Sequence, residues 1–522
     1  MSVGSLSLNS LHLADAFDAA VRRGPDRPLL VTGTRSLTYA EVDRDAAALA
    51  AAMADAGLGP GSRIASILPN RPEAVVSLLA AARLGATLVP CNPALTPHEL
   101  GHLLRQAQVS MVIAGAQVGG RDLLDWYQVV VPGLPELESV VAVGADDLWL
   151  EDRLHTWGDL VRRGRRLAVP QAPRDPAATL AILFTSGTTG KPKGVSLSHA
   201  ALVGNARASS GVLRVSAADV ALFVVPHFTV FGMTVTIGAL DAGAALAPLP
   251  HFSPADVVER MRATGVTLCH GVPTMFALLV RQAGFTRSAL PALRTGLIAG
   301  SPVPADLARA VRAVCDVEIA YGMTETGPAI AMTRPEDDAE RRTATVGRPL
   351  AGVEVRLAET GTGAAQELTV RGPYLMSGYD RMPAETRQAF TADGWLRTGD
   401  LAELDRDGCV RIVGRRKEII IRGGVTVAPR ELEDVLRAHP AVGDVCVVGV
   451  PHDVLGEMTC ACIVPTEGAL VRGEEILAFA RERLADYKVP DLVRVLDALP
   501  MTASGKVQRR ELAQAVALEL TA

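Results

Sequence analysis

The stretch AILFTSGTTGKPKGVSLS, residues 181–198, decides how the rest of the chain reads. The apolar run ending at Phe184 predicts a buried strand, and Val195 and Leu197, alternating with Ser196 and Ser198, predict a second. Between them stand Thr185, Ser186, Gly187, Thr188, Thr189, Gly190, Lys191, Pro192, Lys193 and Gly194. Glycines let backbone N–H groups approach an anion, hydroxyls donate to it and ammonium groups meet its charge, so this is the composition of a polyphosphate cradle. It is not a GxxxxGK[ST] loop: Thr185 stands where the first glycine belongs and Pro192 where the final hydroxyl belongs. A flexible Ser/Thr/Gly hairpin is the competing reading, and it accounts less well for two lysines set between buried strands.

At 522 residues and 48% hydrophobic, the chain can build several domain-sized units with large cores. A net charge of −5 without an extended Lys/Arg block speaks against a nucleic-acid partner. Seven cysteines with no CxxC and no Cys/His ligand spacing point to a reducing compartment. No basic region followed by an apolar core opens the chain, so no secretory signal is read. The uncharged stretch 222–240 approaches membrane-span length, but Pro226, His227 and two glycines make it a buried strand, loop and helix. A cytoplasmic protein without stable membrane insertion is the expectation.

Residues 1–170 alternate helix and strand patterns: a helix over 37–56 ended by Gly57, a strand at 63–68, a helix over 73–84 and a strand at 87–90. Such alternation implies parallel sheet with crossovers. It resumes after residue 198, with helices over 256–264 and 304–314 and strands at 266–269 and 317–320. From about residue 346 to 413 short strands and close Gly/Pro turns predict a small all-β unit. A last α+β piece of about 100 residues, with a Pro429-started helix, is large enough to be its own domain.

Five further stretches carry polar residues at strand ends and turns. Tyr321-Gly322-Met323-Thr324-Glu325-Thr326 offers an aromatic for base stacking and oxygen donors for a hard cation. Asp400, in Gly394-Trp395-Leu396-Arg397-Thr398-Gly399-Asp400, is placed to accept from ribose hydroxyls or to make an Asx-turn. Gly414-Arg415-Arg416-Lys417-Glu418 is a charged connector. Gly423-Gly424 is a close-approach pair or a bulge, and Ser504-Gly505-Lys506 carries one lysine in a polar loop.

Singly, each admits an ordinary structural reading. In this order, with Thr345-Val346-Gly347-Arg348-Pro349, Arg371-Gly372-Pro373 and Gly378-Tyr379 between them, they resemble the adenylate-forming superfamily of acyl-CoA synthetases, nonribosomal peptide adenylation domains and beetle luciferases. The resemblance runs from Thr185 to Lys506 and is looser over residues 1–170. It implies an α/β fold: a large N-terminal domain, residues 1–413, of two parallel-rich αβ subdomains plus a small β-barrel-like unit. A hinge at 414–418 would join it to a small mobile α+β domain, 419–522.

The resemblance also implies the chemistry: a carboxylic acid and ATP give acyl-AMP and pyrophosphate, and the acyl group passes to coenzyme A. Ser186, Thr188, Thr189 and Lys193 would hold the phosphates, within a nucleotide loop that also takes in Thr185, Gly187, Gly190 and Lys191. Thr324 and Glu325 would place Mg²⁺. Tyr321, Gly322, Met323 and the Gly300-Ser301-Pro302 segment would form the adenine site, with Asp400 and Arg415 on ribose. Lys506 matches the adenylation lysine, Lys417 the hinge residue, and Gly423 and Gly424 the segment lining the pantetheine channel. An acyl-carrier protein acting in trans is an alternative acceptor, and a relative that binds adenylate without making it is a third reading.

The clearest departure lies at Val225-Pro226-His227-Phe228-Thr229-Val230-Phe231-Gly232. The family's gating histidine falls at Thr229, and His227 stands two residues earlier; if the segment is a strand, both share a face. His227 and Thr229 are therefore the two gate candidates. Phe228, Val230 and Phe231 with small Ala320, Gly322 and Gly327 suggest a roomy apolar pocket for a medium or long aliphatic or bulky cyclic acid.

Overall fold

The computed structural model describes residues 11–521 except 34, 119, 145–152, 186–191, 302, 359–365, 416–419, 428 and 501–506. The quoted stretch forms two antiparallel strands, Thr179–Thr185 and Lys193–Ser198, in register from Thr185 opposite Lys193 to Ala181 opposite Leu197, with a shift before Thr179 opposite Ser198. Leu180, Ala181, Ile182, Leu183, Val195 and Leu197 are buried, which is why the run could be read from its apolar pattern. Ser186, Gly187, Thr188, Thr189, Gly190 and Lys191, between the strands, lie outside the described residues.

This pair sits in an eight-stranded sheet. On one side Thr179–Thr185 continues into a parallel run through Thr87–Pro90, Arg63–Ile67, Met111–Gly115, Ser139–Val143 and Leu154–Thr156. On the other, Lys193–Ser198 pairs with the short strand Gly378–Tyr379, Val195 lying opposite Tyr379. The crossover helices start where side chains satisfy their first N–H groups. Thr38 and Glu41 form a reciprocal cap on Tyr39–Asp55, and Thr96 and Glu99 form another on Pro97–Gln106.

A second sheet carries Ser36–Thr38, Pro28–Val31, Ala245–Pro248 and Val220–Phe223. Bridge pairs at Leu268 link it to a third set, Thr295–Ile298, Asp316–Gly322, Ala329–Met332 and Arg348–Pro349. The strand expected at 266–269 is thus only a point of bridging at Leu268, and a second bridge at Gly271 precedes the helix Pro273–Leu279. The stretch 222–240 resolves into the end of strand Val220–Phe223, a turn, and the helix Val230–Ala242. That helix packs against His199–Val212 in the main core, where Met233, Ile237 and Leu240 are fully buried. No helix among the described residues is long and apolar enough to cross a membrane.

The all-β unit is a four-stranded antiparallel sheet of Glu354–Ala358, Gln366–Arg371, Leu396–Leu404 and Val410–Arg415. The C-terminal part is a five-stranded sheet built on the long hairpin Val442–His452 and Gly456–Pro465, with Pro429–Arg437, Gly473–Arg481 and Arg509–Thr521 as its helices. The seven cysteines are free and buried, Cys460 and Cys462 sharing one face of Gly456–Pro465 as small packing groups.

Candidate active site

One cavity of about 1980 Å³ lies where these sheets meet. Both ends of the phosphate hairpin, Thr185 and Lys193, stand on its wall. The Lys193 ammonium lies 4.8 Å from the centre of the Tyr379 ring. The Tyr379 hydroxyl donates to Glu325 Oε1 at 2.8 Å. Tyr379 is held by its strand pairing to Val195 and by the next residue, Asp380, whose N–H donates to the Gly194 carbonyl. The Asp380 carboxylate in turn takes a bidentate bond from Arg63, at 2.9 Å in each arm. Burial pushes the Glu325 carboxyl above its ordinary value, and the Tyr379 hydrogen bond and the nearby Lys193 act the other way.

Across the cavity, Tyr321 ends strand Asp316–Gly322 and donates through its hydroxyl to Asp400 Oδ2 at 2.6 Å. Asp400 is buried in Leu396–Leu404, where its backbone pairs with Arg415. A side chain at Gly322 would meet the Pro328 carbonyl at 1.8 Å, so only glycine lets the strand end lie this close. Gly300, Met323 and Thr324 also line the cavity, Ser301 stands beside Gly300 outside the lining, and Pro302 lies outside the described residues. Thr324 and Glu325 put a hydroxyl and a carboxylate on one wall, a donor set that fits a Mg²⁺ ion arriving with phosphates. No cluster of three metal-binding His, Cys, Asp or Glu side chains occurs among the described residues, so phosphate and water oxygens would complete such an ion's shell.

The C-terminal part closes another side. Gly423 and Gly424 form a turn with φ of +56° and +79° that lines the cavity. A Cβ at Gly424 would sit 2.7 Å from the Val272 side chain. Beside this turn the Lys488 ammonium bridges Glu99 Oε1 at 3.0 Å and Glu431 Oε1 at 2.7 Å. Glu99 belongs to the large N-terminal part and Glu431 to the C-terminal part, so the buried lysine ties the two together. Its carboxylate partners hold the ammonium pKa above the usual lysine range despite burial. Lys417 and Lys506 lie outside the described residues, and the Arg415 side chain is not described.

Phe228, Thr229, Phe231 and Ala320 line the cavity. His227 and Gly327 do not, which corrects two of the acyl-pocket expectations. Residues 224–229 are a turn rather than a strand, so the period-two argument that paired His227 with Thr229 does not apply. Asn70 clamps the turn, donating to the carbonyls of Phe223 and Val225 and accepting from the His227 N–H. The His227 ring points into the core, edge-on to Phe223, with Nδ1 3.3 Å from Thr236 Oγ1, and burial lowers its pKa to about 4. Thr229 is the N-cap of Val230–Ala242: its hydroxyl accepts from the Gly232 N–H and donates to the Pro226 carbonyl. Gly327 packs with its Cα toward the Tyr374 carbonyl instead of the acyl space.

Three residues that line the cavity escaped the sequence reading. Tyr379 stood in a recognised motif but was given no role, and nothing local ties it to Glu325, 54 residues away. Lys488, in Tyr487-Lys488-Val489-Pro490, is one of only five lysines in the chain and was given no role. His270 directly follows the strand expected at 266–269 and was given no role, yet it lines the cavity.

Comparison with known proteins places this geometry. Residues 17–380 match the AMP-binding enzyme family, and residues 431–506 match the AMP-binding enzyme C-terminal domain. The chain is 35% identical over 518 residues to the putative acyl-CoA synthetase YngI of Bacillus subtilis (strain 168), covering 94% of each. It is 34% identical to the 3-[(3aS,4S,7aS)-7a-methyl-1,5-dioxo-octahydro-1H-inden-4-yl]propanoyl:CoA ligase of Mycobacterium tuberculosis, over 95% of this chain and 97% of that one. Its fold superposes on o-succinylbenzoate CoA synthetase (MenE) from Bacillus subtilis, bound with its product analogue OSB-NCoA, with a TM-score of 0.83 at 27% identity over 96% and 98% of the two chains.

The chain belongs to the AMP-binding enzyme family. Within it, it is an acyl-CoA synthetase, an AMP-forming acid–CoA ligase that uses ATP and coenzyme A, with Mg²⁺ as is usual for the family.

Proposed function

We propose that the acid this enzyme activates is a medium or long aliphatic or a bulky cyclic one, and that the cavity described above serves both half-reactions in turn. The observation that carries this reading is the convergence of Lys193–Tyr379–Glu325, Tyr321–Asp400 and the Gly423–Gly424 turn on one space. A carboxylate is a poor electrophile because its leaving group is oxide. Attack by a carboxylate oxygen on the α-phosphorus of ATP forms an O–P bond and expels pyrophosphate, and the resulting mixed anhydride has a good leaving group. The thiolate sulfur of CoA then attacks the acyl carbon, and AMP departs with the bonding pair.

The chain's part is placement and charge. Thr185 and Lys193, with Ser186, Thr188, Thr189 and Lys191, hold the β- and γ-phosphates. Mg²⁺, when bound near Thr324 and Glu325, offsets phosphate charge. Tyr379 fixes the Glu325 carboxylate and so the position of that charge. Tyr321 and Gly300 flank the base, Asp400 and Arg415 take the ribose, and Lys506 bridges carboxylate and α-phosphate. Lys417 is the hinge about which residues 419–522 alternate between presenting Lys506 and presenting Gly423–Gly424. The Lys488 bridge to Glu99 supports a pose of the second kind, in which the glycine turn lines the route for a pantetheine arm.

The apolar wall and the bicyclic propanoate in the name of the mycobacterial relative support the acid class. A carrier-protein thiol presents the same pantetheine arm as CoA and is the alternative acceptor. Seven free cysteines fit a cytoplasmic setting. A carboxylic-acid screen that reads pyrophosphate release and thioester mass in parallel, with CoA and with a carrier protein, tests the reading. Turnover of apolar aliphatic or cyclic acids supports it. Turnover of only amino acids or small dicarboxylates would refute it.

A further inference from the structure

Deep in the cavity the wall is apolar, with Leu213, Val235, Ala239, Leu268 and Leu297. Among the polar side chains on this wall are His270 and Thr234, only 4% and 6% exposed. His270 Nδ1 and Thr234 Oγ1 are sealed from water and have no hydrogen-bond partner among the described residues. His270 makes no hydrogen bond among the described residues, and with Nδ1 sealed, Nε2 is the ring nitrogen left to meet the cavity. The two side chains are neighbours through Phe231, which lies one turn before Thr234 on Val230–Ala242 and meets the His270 ring edge-on at 6.5 Å.

Unpartnered polar groups in an apolar wall are costly, and folded proteins retain few of them. Here two such groups belong to residues that line the cavity in which an acyl group must lie. Burial lowers the His270 pKa to about 4, so the imidazole is neutral near pH 7. Arg294, whose charge also lowers the His270 pKa, is held by Asp219 in a bidentate bond. The pair therefore offers a neutral N–H donor and a hydroxyl, groups suited to an uncharged oxygen and not to a second carboxylate.

We propose that the acid bound here carries a ketone or hydroxyl oxygen remote from its carboxylate, which accepts from His270 Nε2–H and pairs with the Thr234 hydroxyl after rotation of that side chain. The rest of the acyl skeleton fills the apolar wall, and His270 and Thr234 are specificity-determining residues. This inference rests on the acid-activating reading given above.

The test uses the intact enzyme with two matched sets: decanoic acid with its mono-oxo and monohydroxy positional isomers, and cyclohexanepropanoic acid with its ring-oxo isomers. Pyrophosphate release gives kcat/KM for each. At least one oxygenated isomer is expected to exceed its parent by about tenfold or more. His270→Leu combined with Thr234→Val is expected to bring that ratio close to one, and His270→Gln, which keeps an N–H donor, to preserve much of it. Wild-type enzyme that turns over the parents as well as every oxygenated isomer would overturn this inference alone, whatever the variants do. A preference that survives His270→Leu would overturn the assignment to His270. Absence of pyrophosphate release with every acid would overturn the acid-class reading, and this inference with it.

Discussion

The two ends of the cavity are built on opposite principles. At the nucleotide end several polar side chains are braced by one another: Tyr379 against Glu325, Lys193 over Tyr379, Tyr321 against Asp400, and Arg63 locking Asp380 beside them. At the acyl end Leu213, Leu268 and Leu297 form the wall, and His270 Nδ1 and Thr234 Oγ1 have no hydrogen-bond partner among the described residues. A fixed reaction with a fixed co-substrate favours donors already in place. A variable acid is met by shape, with one or two groups setting preference.

Substitutions at the two ends should therefore fail differently. Lys506→Ala is expected to lower the rate of acyl-AMP formation by on the order of 10² or more while largely sparing thioester formation from supplied acyl-AMP, as single-turnover assays of each step would show. Equal loss in both steps would erase the distinction. Lys488→Met leaves Glu99 and Glu431 facing each other without their shared cation. It is expected to slow thioester formation by about tenfold with pyrophosphate release retained. Equal slowing of both would make Lys488 a plain stability residue.

For three buried histidines and for Thr229 the expected effects are on stability. His199, His227 and His270 are buried with pKa values lowered to about 3, 4 and 4. Unfolded histidines take up protons near pH 6.5 while these stay neutral, so their stabilisation is complete above that pH. It is lost as pH falls from 6.5 toward 4. The melting temperature should drop through this window, and His227→Leu should flatten the drop. Thr229→Ala removes an N-cap and is expected to cost about 1 kcal/mol in denaturant unfolding, with little change in the order of preferred acids. A large change in that order would restore Thr229 as a gate.

The same contrast explains what could be read from sequence. Phosphate, ribose and cation sites demand particular residue types at short spacing, so Thr185, Glu325 and Asp400 could be picked out before any coordinates. The parallel sheet was legible from the alternation of buried strands and capped helices. The acyl side was not, because an apolar wall has no motif and because residues 224–229 form a turn whose geometry is set by Asn70, more than 150 residues away. Lys488 was hidden for the same reason: its partner Glu99 lies 389 residues off.

The most direct test of one cavity shared by two half-reactions is single-turnover kinetics of Gly424→Ala. Its added Cβ would press on Val272, so the glycine turn could no longer seat as it does here. The account predicts acyl-AMP formation at close to the wild-type rate and thioester formation slowed about tenfold or more. Unchanged thioester formation, or an equal loss of both steps, would contradict it.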